Sequence, residues 1–298
     1  MIKTVWVKNA AGDHLDIAMR SSLDRHGLLI FNFDGLGSPD ATIGGIGGPN
    51  FDGIRMNSVR TDARHMVLTL AIPGQGDAEE DAKALIYQFF PVKQIILLGV
   101  VTDRHNVYIE AVVESNNFNQ FSKVENAVIS LMCPKPFFKD LYAVEHTLST
   151  LIGTPKFSFP FSNESLINPV IEFGEFLYVP SADIEYTGGV ASGCDINIAF
   201  SGPATEIVIT NTNGSQSMSI TPDEEMEDGD QFLFNTRVGE KQATFVRDGV
   251  STNILSLVGL FDPWISIRPG LNTIRITAAT GIENLSCDIV FNPLRQGV

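Results

Sequence analysis

Three cysteines in 298 residues, Cys133, Cys194 and Cys287, are too few and too widely spaced to build a disulfide framework. Their odd number and the absence of any paired ligand spacing point to buried free thiols, as in a protein assembled in a reducing cytoplasm. Long apolar runs are lacking too. The longest, Ile95-Ile96-Leu97-Leu98-Gly99-Val100-Val101, is about a third of what crosses a bilayer, so no membrane segment is expected. Met1–Ala10 alternates like a strand and does not resemble a signal peptide. Histidine is sparse, and His14, His26, His65, His105 and His146 are scattered. The nearest approaches to a metal pair, His14 with Asp16 and His26 with Asp24, sit beside turns and read as solvated loop residues. No Gly-x-Ser-x-Gly nucleophile pattern occurs. Asp183, Glu185 and Asp195 alternate with apolar residues, which reads as a wet strand face rather than a glycosidase pair. The expectation is a protein that is no enzyme and needs no cofactor.

Positive charge is also scarce, and unevenly so. Residues 1–140 carry 13 Lys and Arg against 16 Asp and Glu, a net of −3, whereas residues 141–298 carry 7 against 19, a net of −12. That second half is unsuited to DNA or to an anionic membrane surface. The near-neutral first half suits close packing of identical copies, which repel one another less there.

What is present is β-patterned. Thr4–Lys8 and His14–Ile17 form an expected hairpin, Leu28–Phe33 a strand, and Val59–Ile72 one long strand. Residues 34–53, with Gly35, Gly37, Gly44, Gly45, Gly47 and Gly48, show no periodicity and read as a long glycine-rich loop, usually a functional or interfacial feature. One helix follows, with Asp77 as cap, Glu80 completing a capping box, Ala78, Ala82, Leu85, Ile86 and Phe89 as its buried stripe, and Pro91 as its stop. Gln94–Thr102 with Asn106–Glu114 make a second hairpin, and Val124–Cys133 a further strand before Pro134-Lys135-Pro136. The domain boundary is placed there, giving residues 1–138 and 139–298. The second part shows about ten short strands, from Phe157–Phe161 and Val170–Phe173 to Cys287–Phe291, with turn signals at intervals of roughly 8–12 residues, the signature of an antiparallel sandwich. The fold class is therefore mainly β, with two β-sandwich domains and one α-helix in the first.

Taken in order, these landmarks have a counterpart. Phe33-Asp34-Gly35 precedes the glycine-rich loop, a single helix lies between long strands, and Cys133-Pro134-Lys135-Pro136-Phe137-Phe138 closes the first domain. Phe157-Ser158-Phe159-Pro160-Phe161 follows, and the C-terminal meander runs through Asp228-Gly229, Asp248-Gly249 and Pro269-Gly270-Leu271-Asn272. In sequence and spacing this resembles the distal tail protein family of long-tailed phages (siphoviruses), over nearly the whole chain. The resemblance implies a structural virion protein of the tail tip, made in the host cytoplasm. It implies a first domain forming a hexameric ring continuous with the tail tube, and a galectin-like second domain facing outward. The implied partners are further copies of the chain, the tail tube protein, a tail-tip or tail-fibre hub protein, and a receptor-binding protein. No sequence-specific nucleic acid is among them. A glycan-binding β-sandwich adhesin acting on the host wall is the alternative.

Two segments then gain a sharper expectation. Gly44-Gly45-Ile46-Gly47-Gly48 lacks the Lys-Ser/Thr of a phosphate loop, but its glycines let backbone approach backbone, so residues 34–53 are expected to reach onto an adjacent protomer. Pro222–Asp230 reads as a solvated hairpin tip; Asp228 and Asp230 bracket a glycine as the alternative, a weak cation site, although the alternating acidic loop with a distal glutamate is missing. Trp264 shares a strand face with Ser266 and Arg268 without a histidine beside it, and is expected to pack rather than to stack on a sugar.

Overall fold

A computed structural model describes residues 1–19, 26–49, 51–73, 76–119, 125–148, 151–155, 174–178 and 180–298. The chain divides into two compact units, Met1–Tyr142 with Leu294–Val298, and Ala143–Pro293. The expected strands Phe157–Phe161 and Val170–Phe173 lie outside the described residues.

The first unit contains β1 (Ile2–Lys8), β2 (His14–Ala18), β3 (Leu29–Asp34), β4 (Ala41–Gly48), β5 (Phe51–Thr61), β6 (Arg64–Ile72), α1 (Asp77–Phe89), β7 (Ile95–Thr102), β8 (Asn106–Asn119), β9 (Glu125–Cys133) and β10 (Phe138–Asp140). The second unit contains β11 (Val144–Leu148), β12 (Leu151–Pro155), β13 (Gly174–Tyr178), β14 (Ser181–Tyr186), β15 (Ser192–Gly193), β16 (Asp195–Phe200), β17 (Ile207–Asn211), β18 (Gln216–Ile220), β19 (Gln231–Asn235), β20 (Gln242–Arg247), β21 (Val250–Asn253), β22 (Ser266–Ile267), β23 (Gly270–Thr277) and β24 (Leu285–Phe291). The last strand, β25 (Leu294–Arg295), belongs to the first unit again.

In the first unit one sheet runs β25-β10-β8-β7-β1-β2-β3-β6-β9, and β8 also pairs with β9, so the sheet closes on itself. The 14-residue β8 makes this possible. Its first half pairs with β7, and a register shift between Val113 and Ser115 turns its second half onto β9. Strict alternation supplies the interior: Met66, Leu68, Leu70 and Ile72 from β6 meet Ala127, Ile129, Leu131 and Cys133 from β9, with Leu98 and Val100 of β7.

Trp6 of β1 lies across Gly99 of β7, its register partner, and stacks on His14 at 5.4 Å. A Cβ on Gly99 would sit 1.9 Å from the indole. Gly99→Ala should therefore push Trp6 out of place, lowering stability by about 2–3 kcal/mol and shifting its fluorescence to the red. Unchanged emission and melting temperature would contradict that packing.

The helix departs from expectation at its start. Gly76, not Asp77, is the cap residue, with no side-chain cap bond, and its carbonyl takes the Glu79 and Glu80 N–H groups at 3.0 and 3.2 Å. Its positive φ of 64° suits glycine, which has no side chain to cap with, so the expected capping box does not form. Ala82, Ile86 and Phe89 are buried and Leu85 half-buried, but Ala78 is exposed because the stripe begins one turn later. Lys83 joins the helix to β9 by pairing with both Glu79 and Glu125.

Two strand expectations are corrected. Val59–Ile72 is not one strand but the end of β5 and the whole of β6, separated by Asp62–Ala63. The stretch 34–53 is not an irregular loop throughout, since β4 and β5 pair as a two-stranded antiparallel sheet of their own.

In the second unit a six-stranded sheet, β11-β24-β16-β19-β20-β21, and a four-stranded sheet, β14-β23-β17-β18, share one core. Ile196, Ile198, Phe232, Phe234 and Ile289 come from the first, and Ile184, Ile207, Ile209, Met218 and Ile274 from the second. Phe232 makes edge-on contacts with Phe200 at 4.9 Å and Phe245 at 5.6 Å, geometry favoured by the ring quadrupole. β12 with β13, and β15 with β22, add two short ladders. The protein is thus mainly β, with a single α-helix among the described residues.

Candidate assembly surface

The β4–β5 hairpin is the most unusual surface of the first unit. Among the described residues its strands pair only with each other, and its apolar side chains have no core to enter. Ile43, Ile46, Ile54, Met56 and Val59 are each 57 to 63 % exposed. Isolated two-stranded ribbons are marginal in water, and such apolar content on one is the mark of a surface built to be covered.

The glycines expected to mediate this contact are divided by the structure into two groups. Gly44, Gly45, Gly47 and Gly48 are in the hairpin. A Cβ on Gly45 would meet Ile54 Cδ1 at 2.8 Å and the Arg55 carbonyl oxygen at 3.1 Å, and one on Gly44 would meet Ser58 Oγ at 2.5 Å. They let the facing strand's side chains fold over the ribbon. Gly35 and Gly37 lie at the root of the hairpin, before β4, and do something else.

That other role belongs to Arg64, which sequence reasoning did not single out. It opens β6 and is only 3 % exposed. Its guanidinium donates to four main-chain carbonyls: Pro136 at 2.7 Å, Gly35 at 2.6 Å, Gly37 and Gln296. It also lies 4.7 Å over the Phe138 ring. One cation thus ties the root of the hairpin to the exit segment and to the last residues of the chain. Burial lowers its pKa, as water is replaced by carbonyl dipoles, while Cys133 opposes the shift. Gly35 cannot be replaced there: its φ is +88° and a Cβ would stand 2.5 Å from the His65 carbonyl. The tail is held further by Val298 N–H donating to the Leu36 carbonyl at 3.1 Å. Asp140 receives Arg295 in two parallel bonds of 2.6 and 2.8 Å.

In the second unit Asp228 and Asp230 do not share an environment. Asp228 is exposed, while Asp230 is 2 % exposed, accepting from Arg247 Nε at 2.8 Å, from Arg247 Nη2, and from the Glu227 N–H at 2.7 Å. Both Asp230 oxygens are therefore engaged within the chain. The Arg247 bonds hold its carboxyl below the ordinary range, and burial opposes them. A depressed carboxyl stabilises the fold above its unfolded pKa and loses that contribution as pH falls through the folded value. Asp230→Asn should lower the urea midpoint of this unit at pH 7, and the deficit should shrink on titration below about pH 4. A deficit independent of pH would show that the ion pair is not its source.

Several other residues singled out as candidates for chemistry make contacts within the chain. Burial pushes the thiols of Cys133 and Cys194 up to about 12 and about 11, far from a reactive thiolate. His14 stacks on Trp6, and the Asp24 of the His26 pair lies outside the described residues. Asp195 pairs with Arg237, and Asp183 accepts from Thr273 Oγ1 at 2.6 Å in the other sheet. Trp264 is half-buried against the core with Lys241 Nζ 5.3 Å above its ring. Among the described residues no three His, Cys, Asp or Glu side chains converge as metal ligands.

No protein-family model and no curated protein matches the sequence. Among solved structures, the Dit (gp 19.1) protein of SPP1, called a paradigm of the hub adsorption apparatus in phages infecting Gram-positive hosts, aligns with a TM-score of 0.65. This chain has the fold of a phage hub protein. The alignment covers 98 % of this chain and 99 % of that one at 13 % identity, so both units are matched within a single polypeptide. Two structures of the phage P2 baseplate in its activated conformation, with Ca and with Sr, each align over 97 % of this chain at 13 % identity. They cover 98 % and 97 % of their chains, with TM-scores of 0.48 and 0.46.

Proposed function

We propose that this protein is a non-enzymatic hub of a long-tailed phage tail tip, six copies of which form a ring between the tail tube and the rest of the baseplate. The fold match to the SPP1 hub protein carries the proposal, since it covers 98 % of this chain and so spans both units. The β4–β5 hairpin supports it from this chain's own residues, as five exposed apolar side chains on an unsupported ribbon need a neighbour. In this scheme the hairpin lies against the adjacent protomer, the Arg64 node fixes the angle at which it leaves, and the acidic second unit holds other tail components. In the same scheme the second unit takes the galectin-like form that the family resemblance implies. An antibody against the chain should decorate the head-distal end of the tail in immunogold micrographs of the phage that encodes it. Label confined to the head, or absent from particles, would overturn the assignment.

A further inference from the structure

Among its described residues the second unit carries a turn with two adjacent exposed apolar side chains that its core does not explain. Gly259–Asp262 is a β-turn, closed by the Asp262 N–H donating to the Gly259 carbonyl at 3.1 Å. Its two central residues are Leu260 and Phe261, 88 and 92 % exposed. Central turn positions ordinarily hold glycine, proline or short polar side chains, which satisfy the backbone and face water without penalty. Leucine and phenylalanine do neither.

The turn is also pinned. Asp262 Oδ2 accepts from the Ser219 N–H at 2.7 Å and from Ser219 Oγ, and the Gly259 N–H donates to the Ser219 carbonyl at 3.0 Å. Val258 bridges to Ile220 and is buried, as is Ile265 on the other side. A Cβ on Gly259 would stand 2.3 Å from Asp262 Oδ2 and 2.5 Å from Ser219 Oγ, so the clamp closes only over glycine. The Ser219 bonds hold the Asp262 carboxyl below its ordinary range, so the clamp persists in mild acid. The turn that carries two large apolar side chains into water is thus fixed by polar contacts that gain nothing from their presence. Such preorganisation is what a binding hot spot requires, because little freedom is lost on docking.

Charge selects the occupant. Residues 143–293, the second unit, carry 19 acidic against 6 basic side chains, a field that repels an anionic bilayer and another copy of the same unit, and attracts a basic surface. We propose that Leu260–Phe261 is a preformed apolar peg that seats in an apolar pocket, rimmed by lysine or arginine, on a different protein. The ring does not enter this inference, so either can fail without the other.

The test places the photo-crosslinker benzoylphenylalanine at position 261 of the full chain and irradiates the cells that produce it. The expected adduct joins position 261 to a different protein, within an apolar peptide bearing lysine or arginine. Leu260→Ser in the same background should reduce the yield at least about tenfold, the loss typical of a hot-spot residue. Gly259→Ala, which opens the clamp but leaves both side chains exposed, should do the same. Thermal melting of each variant confirms that the unit is folded. An adduct only with a second copy of this chain, with lipid, or with nothing would overturn the peg. So would full yield from the Gly259→Ala protein, which would show adhesion of an exposed ring rather than a built site.

Discussion

Arg64→Met should lower the melting temperature of the first unit by about 10 °C while leaving the transition of the second unit in place. The side chain of Arg64 is one of few buried polar groups of the first unit, and four carbonyls depend on it. Methionine fills much of the same space but donates nothing, so the carbonyls of Gly35, Gly37, Pro136 and Gln296 lose their partner. Each bond to a charged donor is worth about 1.5–3 kcal/mol, and release from the cost of burying the cation returns part of that. A net loss of about 3–5 kcal/mol, spread over a unit of this size, gives the stated shift. Calorimetry with two resolved transitions measures it directly. Amide exchange should accelerate most at Leu36–Ser38 and at Gly297–Val298, which the same cation ties down. Arg64→Lys should recover only part of the loss, since an ammonium cannot span four carbonyls in the guanidinium plane. A melting temperature within a degree or two of the parent would mean that the node is ornamental.

Ile43→Asp combined with Val59→Asp should abolish self-assembly and leave the monomer folded. These two residues are register partners across the hairpin, both 57 % exposed, so neither contributes to a core that the substitutions could disrupt. Exposed positions of this kind change stability by about 0.5 kcal/mol or less. In a covered interface, by contrast, two unpaired carboxylates opposite each other are desolvated together and repel. The expected result is a parent-like melting curve with a monomer mass at concentrations where the parent is assembled. Persistence of the assembled form would remove the hairpin from the interface.

The parts of the fold that were legible in the sequence are those where one face is wet. β2, β8, β9 and most strands of the second unit alternate cleanly, and period 2 identifies them. β4 was not legible, because Gly44, Gly45, Gly47 and Gly48 erase the alternation and a glycine-rich strand contradicts strand propensity. The turn at Asp62–Ala63 has neither glycine nor proline, so β5 and β6 read as one strand. The helix cap was misplaced because Gly76 at positive φ outcompetes the side-chain cap of Asp77, a choice set by the incoming chain.

Site residues fared differently from strands. The glycine segment was visible as a candidate because its composition is anomalous, whereas Arg64 was not, since an arginine at a strand start looks solvated until its four acceptors are assembled from distant segments. The Leu260–Phe261 turn did leave a signal, an apolar pair flanked by Gly259 and Asp262 where turn residues belong, but it is recognisable only once Ser219 is seen beneath it. Asp230 shows the opposite case, a residue that looked available in an acidic run and is instead the buried partner of Arg247.

Mass photometry of the purified full-length chain across a dilution series tests the ring most directly. The expected species has six times the 32.5 kDa mass of the chain, and dissociates without intermediates of unbounded size. A single 32.5 kDa species at every concentration, or a ladder that grows without closing, would contradict it.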